Sequence, residues 1–357
     1  MTTTPSQHFR WMIYGANGYS GALIAQEAVK RGYTPVLAGR RADNIAPLAA
    51  QLGLEYQIFG LDDTAQLQQQ LQGFQLVMHC AGPFSATAAP MMQACIAAGA
   101  HYLDITGEIS VFEHAQSLQA QAKQAGVVIC SGVGFDVIPT DCVAAALKAA
   151  MPDATHLALG FDSSSSLSPG TAKTSIEGMA QGGKIRRNGK ITTVPLAYRV
   201  RHIDFGNGEK SAMTIPWGDV ATAYYTTGIP NIEVYMPSPM PLIYGAKLAN
   251  LVRPLLGLNS VQTFLKARVG QKVTGPDDQK RAKRGTYVWG EVTNARGERK
   301  TARIQTANVY SLTITGALAV IEYLMSHQPS GGAYTPAKLV GAQLVSQLPE
   351  SGMIEII

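Results

Sequence analysis

The sequence predicts an α/β fold: a doubly wound, mostly parallel sheet followed by a mixed α+β second domain. Three observations predict it. Over residues 11–130, short apolar runs alternate with helical patterns of about 10–15 residues, as βαβ units require. Runs such as LVMHCAG lack an apolar/polar alternation, as strands covered on both faces do. After Asp136 the texture shifts to Ser, Gly and Thr with alternating patterns. A chain of 357 residues exceeds what one core usually organises, so two domains are expected.

The elements follow in order. WMIYG reads as a buried strand and ALIAQEAVKRG as a helix ended by Gly32. TPVLAGR is the second strand, and residues 42–53 form a helix ending at Gly53. YQIFGLDD is a strand, 64–72 a short helix and FQLVMHCAG the fourth strand. Residues 86–99 form a helix ending at Gly99. HYLDITG, a helix over 110–126 and the strand GVVICSGVG complete the alternation. Beyond a helix near 140–150, DSSSSLSPGTAKTS is a polar loop, and 285–310 read as a hairpin turning at Arg296-Gly297. Helices over 311–326 and 336–348 close the chain.

Composition narrows the function classes. Hydrophobic residues make up 46% and charged residues 15%, with a net charge of +5. That mild bias suits an anionic cofactor and lacks the basic footprint of a nucleic-acid binder. Cys80, Cys95, Cys130 and Cys142 form no Cys-x-x-Cys pair and read as buried free thiols. The seven histidines show no ligand spacing, so no metal is expected. The polar start MTTTPSQHFR resembles no secretory signal, and no stretch offers about 20 uninterrupted apolar residues. The expected compartment is the cytoplasm. The apolar stretch 242–265 reads as core or dimer contact, with an apolar substrate tunnel or a membrane-surface contact the less favoured alternatives.

The segment Gly15-Ala16-Asn17-Gly18-Tyr19-Ser20-Gly21 follows a strand and opens a helix, the setting in which glycines cradle a dinucleotide. Gly15 permits the tight turn, Gly18 lets backbone amides approach a pyrophosphate, and Gly21 allows close helix packing. The helix N-terminus presents N–H groups and a positive dipole end to the phosphates. Where NAD-binding domains usually place an acidic residue for the ribose 2′-hydroxyl, this chain has Gly39-Arg40-Arg41. Arginine offers a fork to a 2′-phosphate, so Arg40, helped by Arg41, is the expected NADP selector. Cys80-Ala81-Gly82-Pro83-Phe84 ends the fourth strand, where ligands of doubly wound sheets sit. Gly82 is expected to admit the nicotinamide ribose and Phe84 to pack on the cofactor.

The segments GANGYSG, AGRR, CAGPF, HYLDITGE (101–108) and GFDVIPTD (134–141), in this order, resemble saccharopine-dehydrogenase-like oxidoreductases. The similarity is closest to the bacterial branch of trans-acting enoyl reductases, and it extends to PGTAKTSIEGM (169–179), VTGPDDQKR (273–281) and the tail 331–352. The resemblance implies an NADP-binding Rossmann domain over 1–131, with C-terminal helices (311–357) returning to it. It implies an α+β domain over 132–310 for substrate and oligomer contacts. A small-molecule or carrier-bound acyl substrate is implied, and a homodimer is the oligomer it favours.

No acid or base carries over from the family, so candidates come from position. Tyr102, Asp104, Thr106 and Glu108 follow the fifth strand, and Asp136 and Asp141 the sixth. Asp104 and Asp136 are the catalytic candidates, to orient substrate or relay a proton, because reducing a C=C or C=N bond needs a proton beside the hydride. An Asp in this setting also serves commonly as a turn or cap. NADPH-dependent reduction of an enoyl C=C is the leading expectation. Imine reduction, with Arg186, Arg187 or Arg199 anchoring substrate carboxylates, and an NADP(H) sensor without turnover are the alternatives.

Overall fold

A computed structural model describes residues 9–163, 180–256, 258, 261, 263 and 285–357. The Ser163–Ser166 run beyond Ser163, the segment 169–179 and the segment 273–281 lie outside the described residues. The chain divides into two compact units. The first holds residues up to Ile138 together with Leu312–Leu344, and the second holds Pro139–Ser311 and Val345–Ile357.

In the first unit the expected alternation is present. The order is β1 (Trp11–Tyr14), α1 (Tyr19–Lys30), β2 (Val36–Gly39), α2 (Ala42–Leu52), β3 (Tyr56–Ile58), α3 (Thr64–Gln70), β4 (Leu76–His79) and α4 (Phe84–Ala98). Then come β5 (His101–Asp104), α5 (Ile109–Ser117), α6 (Gln119–Ala125) and β6 (Val128–Cys130). The sheet runs β15-β6-β5-β4-β1-β2-β3, with β15 (Gly332–Tyr334) added at the far edge, and all its pairings are parallel. Chain order reverses between β1 and β4, the switch point where such sheets bind ligands. β1, β2 and β4 are buried along their whole length, which accounts for their unbroken apolar runs.

Two expected helices are broken. The helix over 110–126 divides at Leu118, where the Ser117 hydroxyl donates to the His114 carbonyl at 2.7 Å and competes with the backbone ladder. The helix over 336–348 splits into α11 (Pro336–Val340) and α12 (Leu344–Gln347) around Gly341, at φ +118°. The preceding helix, α10 (Val309–Ser326), has the length and apolar composition to cross a membrane, which qualifies the reading of the sequence. Half of its window is buried, with Leu318 and Ile321 fully so, as in a core helix.

The second unit is a mixed sheet. α7 (Ile138–Ala150) precedes β7 (Ala154–Asp162), β8 (Gly183–Arg187), β9 (Lys190–Val194), β10 (Val200–Asp204) and β11 (Glu209–Thr214). Then follow α8 (Asp219–Thr227), β12 (Asn231–Pro237), α9 (Met240–Leu256), β13 (Thr286–Asn294), β14 (Arg299–Thr306) and, at the C-terminus, β16 (Glu355–Ile356). Among the described residues the order is β10-β11-β12-β7-β13-β14-β16, with β8 and β9 attached through β12. Among these described strands only β12 and β7 pair in parallel. The β13–β14 turn sits where the sequence predicts it: Asn294 Oδ1 accepts the Arg296 and Glu298 amides, and Gly297 takes φ +82°. α7 packs closely on β13 because a Cβ at Gly290 would fall 2.7 Å from Val143.

The unit boundaries depart from the expected ones in two places. The division follows Ile138 rather than residue 131, since Val133, Phe135, Val137 and Ile138 are buried in continuation of β6. Residues 345–357, expected to return to the first domain, belong to the second unit, because Glu355–Ile356 pairs with the edge of β14.

Candidate cofactor-binding and active site

The site at the switch point is built by the backbone first. Gly15 leaves β1 at φ +81°, and its amide donates to the Ala38 carbonyl at 2.7 Å. A Cβ at Gly15 would stand 2.7 Å from Ala81, so only glycine lets the turn after β1 lie against the end of β4. A Cβ at Gly21 would fall 2.5 Å from the Gly15 carbonyl oxygen, so the third glycine packs α1 onto its own loop. At Gly18 the backbone is ordinary (φ −71°) and a Cβ would meet Gly15 O at 3.2 Å.

Gly18 is the N-cap of α1 and has no side chain to cap the first turn, which also contains no acidic residue. The positive end of the helix is thus left for an anion. Asn17 is exposed beside Gly39, and Tyr19 and Ser20 are half-buried at the start of α1.

Arg40 and Arg41 are exposed where β2 ends. Burial pushes the Tyr14 hydroxyl up to about 12; the Arg40 charge opposes that rise and the Asp62 carboxylate adds to it. Arg40 therefore lies within electrostatic reach of the end of β1, beside the glycine turn. The Arg41 guanidinium reaches the Asn44 side-chain oxygen at 3.0 Å.

Cys80 to Phe84 lead from β4 into α4. The Cys80 amide donates to the Tyr14 carbonyl at 2.7 Å, tying this segment to β1. Burial and the nearby Asp104 carboxylate push the Cys80 thiol up, which keeps it protonated. Gly82 and Pro83 are exposed. Phe84, expected against the cofactor, turns its ring edge to His79, with ring centroids 5.4 Å apart, and packs on the core.

Two groups in this region were not singled out from the sequence. His79 is fully buried, and burial holds its imidazole neutral with a pKa of about 3. Its Nε2 lies 3.0 Å from the Thr87 hydroxyl, which donates to the Ala81 carbonyl at 2.6 Å. Glu108, named only as one of several polar residues after β5, caps α4: its carboxylate accepts the Phe84 amide at 3.0 Å and the Ser85 amide at 2.8 Å. The two helix ends therefore differ. That of α4 is occupied by a carboxylate of the chain, whereas that of α1 is not.

The loop 104–108 gathers the carboxylates. Asp104 is fully buried. Its Oδ1 accepts the Thr106 amide at 3.0 Å and the Gly132 amide at 2.8 Å, and its Oδ2 accepts the Tyr102 hydroxyl at 2.8 Å. Burial raises its pKa to about 6 against the lowering effect of these bonds. The Thr106 hydroxyl accepts the Glu108 amide at 3.0 Å. Half-buried Asp136 lies against the same loop, for a Cβ at Gly107 would fall 2.7 Å from its Oδ2. Burial pushes the Asp136 carboxyl up to about 7, so it carries a proton over part of the neutral range.

Asp141 belongs to the second unit, where Thr226 donates to it. The arginines considered as carboxylate anchors are also in that unit, lining a cavity of about 250 Å³ with Arg201, Glu233 and Glu291. Arg186 is buried, donates to the Val220 and Gly189 carbonyls at 2.7 Å each, and stacks on Tyr224 at 4.2 Å. Arg199 pairs with Glu233 at 2.9 Å, and Arg187 donates to the Tyr198 hydroxyl at 2.9 Å. Among the described residues no cluster of three His, Cys, Asp or Glu side chains gathers as a metal site.

Comparison with known proteins agrees with this geometry. Residues 11–130 match the saccharopine dehydrogenase NADP binding domain. A Mycobacterium tuberculosis protein provisionally named a trans-acting enoyl reductase is 34% identical over 149 residues, which cover 40% of this chain and 35% of that one. The trans-acting enoyl reductase of Mycobacterium ulcerans is 32% identical over 149 residues, covering 39% and 35%. The match thus spans about a third of the length of these relatives. In fold, the chain is similar to saccharopine dehydrogenase (L-Glu forming) of Saccharomyces cerevisiae, with a TM-score of 0.66, 10% identity and coverage of 98% and 99%.

Proposed function

We propose, from the premise that residues 11–130 are a saccharopine dehydrogenase NADP-binding domain, that the whole chain is an NADPH-dependent reductase of an activated C=C bond, with an enoyl thioester as substrate. The observation that carries the reading is the helix end at Gly18. It is uncapped and free of acid; exposed Arg40 follows β2, which pairs with β1, and elsewhere in the same unit Asp136 holds a carboxyl with a pKa of about 7. The names of the mycobacterial relatives support the enoyl substrate.

The residues divide the work as follows. The turn at Gly15 and Gly18 seats the pyrophosphate through backbone N–H groups, and Arg40, with Arg41 beside it, holds the 2′-phosphate. The segment Cys80–Phe84 borders the nicotinamide end. When bound, reduced nicotinamide supplies the hydride, which an enoyl thioester accepts at its β-carbon. Asp136 gives the proton that the α-carbon then requires. Asp104 is a positioning residue, because its oxygens are taken up in holding the loop 104–108 and the segment after β6.

Imine reduction is less well supported. It asks for an anchor for substrate carboxylates, and Arg186 and Arg199 are already engaged by backbone carbonyls and Glu233.

The test is to mix the purified chain with NADPH and panels of enoyl thioesters and cyclic imines, and to follow the nicotinamide absorbance. Oxidation of NADPH by enoyl thioesters alone is expected. Tight NADPH binding without oxidation across both panels would instead identify a sensor and overturn the proposal.

A further inference from the structure

The sheet of the second unit turns one face to α7, at Gly290, and the residues alternating with that face point the other way. On this other face Glu233 of β12, Ala158 of β7 and Glu291 of β13 stand side by side in register. With strands about 4.8 Å apart, the two glutamates are about 10 Å apart across a residue that carries only a methyl group, which leaves a depression between them. β10 and β13 lie four places apart in the strand order, about 19 Å in a flat sheet. Arg201 of β10 nevertheless pairs with Glu291 of β13 at 2.8 Å, so the sheet curls and brings β10 over the depression. The space enclosed is the cavity of about 250 Å³ described above.

The charges of the lining are unequal: four arginines stand against two glutamates. Arg201 is fixed by Glu291 and by the Tyr235 and Trp289 rings, whose centroids lie 5.5 and 5.3 Å from its guanidinium carbon. Glu233 is held on both oxygens, by Arg199 at 2.9 Å and by the Tyr235 hydroxyl at 2.6 Å. Both carboxylates are therefore already matched to an arginine. Arg187 is not so matched. It is exposed, donates to the Tyr198 hydroxyl at 2.9 Å and has no carboxylate partner among the described residues. Its guanidinium and that of Arg199 share one ring, lying 5.9 and 5.5 Å from the Tyr198 centroid. Two like charges gathered round one ring, with Glu233 alone between them, favour an anion. The arginine fork matches a carboxylate or a phosphate through two parallel hydrogen bonds. A cation would have to displace an arginine from each glutamate that it met.

We propose that this cavity is a binding site for a small organic anion, whose carboxylate or phosphate group is received by Arg187 and Arg199. Its volume lies below that of sites for drug-sized ligands and suits a small metabolite. Every residue of the lining belongs to the second unit, so the anion is a ligand additional to the dinucleotide. The inference does not rest on the reductase reading.

The experiment is isothermal titration calorimetry of the full chain with succinate and with inorganic phosphate, at an ionic strength held constant with sodium chloride. Saturable binding of at least one of them, with a Kd of about 1 mM or below, is expected, and the tighter of the two identifies the anionic group. Arg187→Gln should weaken it by about tenfold or more. Arg199→Gln should weaken it at least as much, because the Glu233 charge is then left facing the anion. Arg187→Lys keeps the charge without the fork and should fall between Arg187→Gln and the wild type. The side chains at 187 and 199 are exposed, so the variants should keep the wild-type circular dichroism and NADPH affinity. Absence of saturable binding of either anion would overturn the proposal, as would binding that Arg187→Gln leaves unchanged, which would mark an adventitious ion only. An equal loss of NADPH affinity in Arg187→Gln would overturn it too, since Arg187 would then belong to the dinucleotide.

Discussion

Asp104 Oδ1 accepts the Gly132 amide at 2.8 Å, joining the end of β5 to the segment after β6. A fully buried carboxylate is tolerated there because three donors of the chain converge on it, two of them backbone amides. Its folded-state pKa of about 6 lies above the ordinary 3.8. Folding therefore favours the protonated form, whose contribution to stability is complete below about pH 4 and is lost as the pH rises through 6. The shift corresponds to about 3 kcal/mol. Urea unfolding of the wild type and Asp104→Asn at pH 4 and pH 7 should show the stability difference moving by about that amount, against the wild type at the higher pH. A pH-independent difference would remove Asp104 as the titrating group.

Glu108 and Phe84 make a second such link across 24 residues of sequence. Glu108→Ala leaves two amides at the start of α4 without their carboxylate and should destabilise the first unit by about 1–2 kcal/mol. Hydrogen exchange should quicken at the Phe84 and Ser85 amides first. Unchanged exchange at both would mean that the cap is energetically idle.

The three glycines of the turn should separate by phenotype. At Gly21 a Cβ meets a backbone oxygen at 2.5 Å, so Gly21→Ala should cost about 1–3 kcal/mol of stability. Gly15→Ala should cost at least as much, because the positive φ adds strain to the clash with Ala81. Gly18→Ala faces only a 3.2 Å contact at an ordinary φ and should fold well while weakening NADPH binding. Thermal unfolding beside NADPH titration distinguishes the cases. A Gly18→Ala protein with full NADPH affinity would contradict the seat proposed for the pyrophosphate.

Arg40→Asp tests the choice of cofactor. Replacing a fork that can hold a 2′-phosphate by a repelling carboxylate should weaken NADPH by about 100-fold and affect NADH far less. Dissociation constants for both, from nicotinamide fluorescence, provide the comparison. An equal loss for both would show that Arg40 acts on something other than the 2′-phosphate.

Asp136 should appear in the pH profile of turnover. Its carboxyl is protonated below about pH 7, so a kcat limited by proton donation should fall as the pH rises beyond that value. Asp136→Asn should lower kcat by about 100-fold or more and abolish that limb, while NADPH affinity is kept. A variant that retains the limb would move the donor to another group.

Much of the first unit is legible in the sequence because its rules are local. Apolar runs without alternation mark doubly covered strands, and glycines mark turns at positive φ, as at Gly15, Gly32, Gly53 and Gly99. The reading failed where a side chain or a distant strand intervened. Ser117 bonded back to His114 and broke a helix that the apolar period supports, and β14 drew the last strand into the second unit. The contact of Phe84 with His79 is likewise visible only once β4 and α4 are packed, and it leaves the expected role of Phe84 at the cofactor untouched.

By itself the sequence determined the glycine turn, the arginine in place of an acidic residue after β2 and the βαβ order, since each depends on neighbours a few residues apart. Only the tertiary structure decided what the carboxylates do. Asp104 became a buried tie, Glu108 a helix cap and Asp136 a half-buried acid against Gly107 because β5, β6 and α4 end side by side. Burial raises the pKa of Asp104 and Asp136 to different values, and the three carboxyl groups acquire different partners from the amides that the fold supplies.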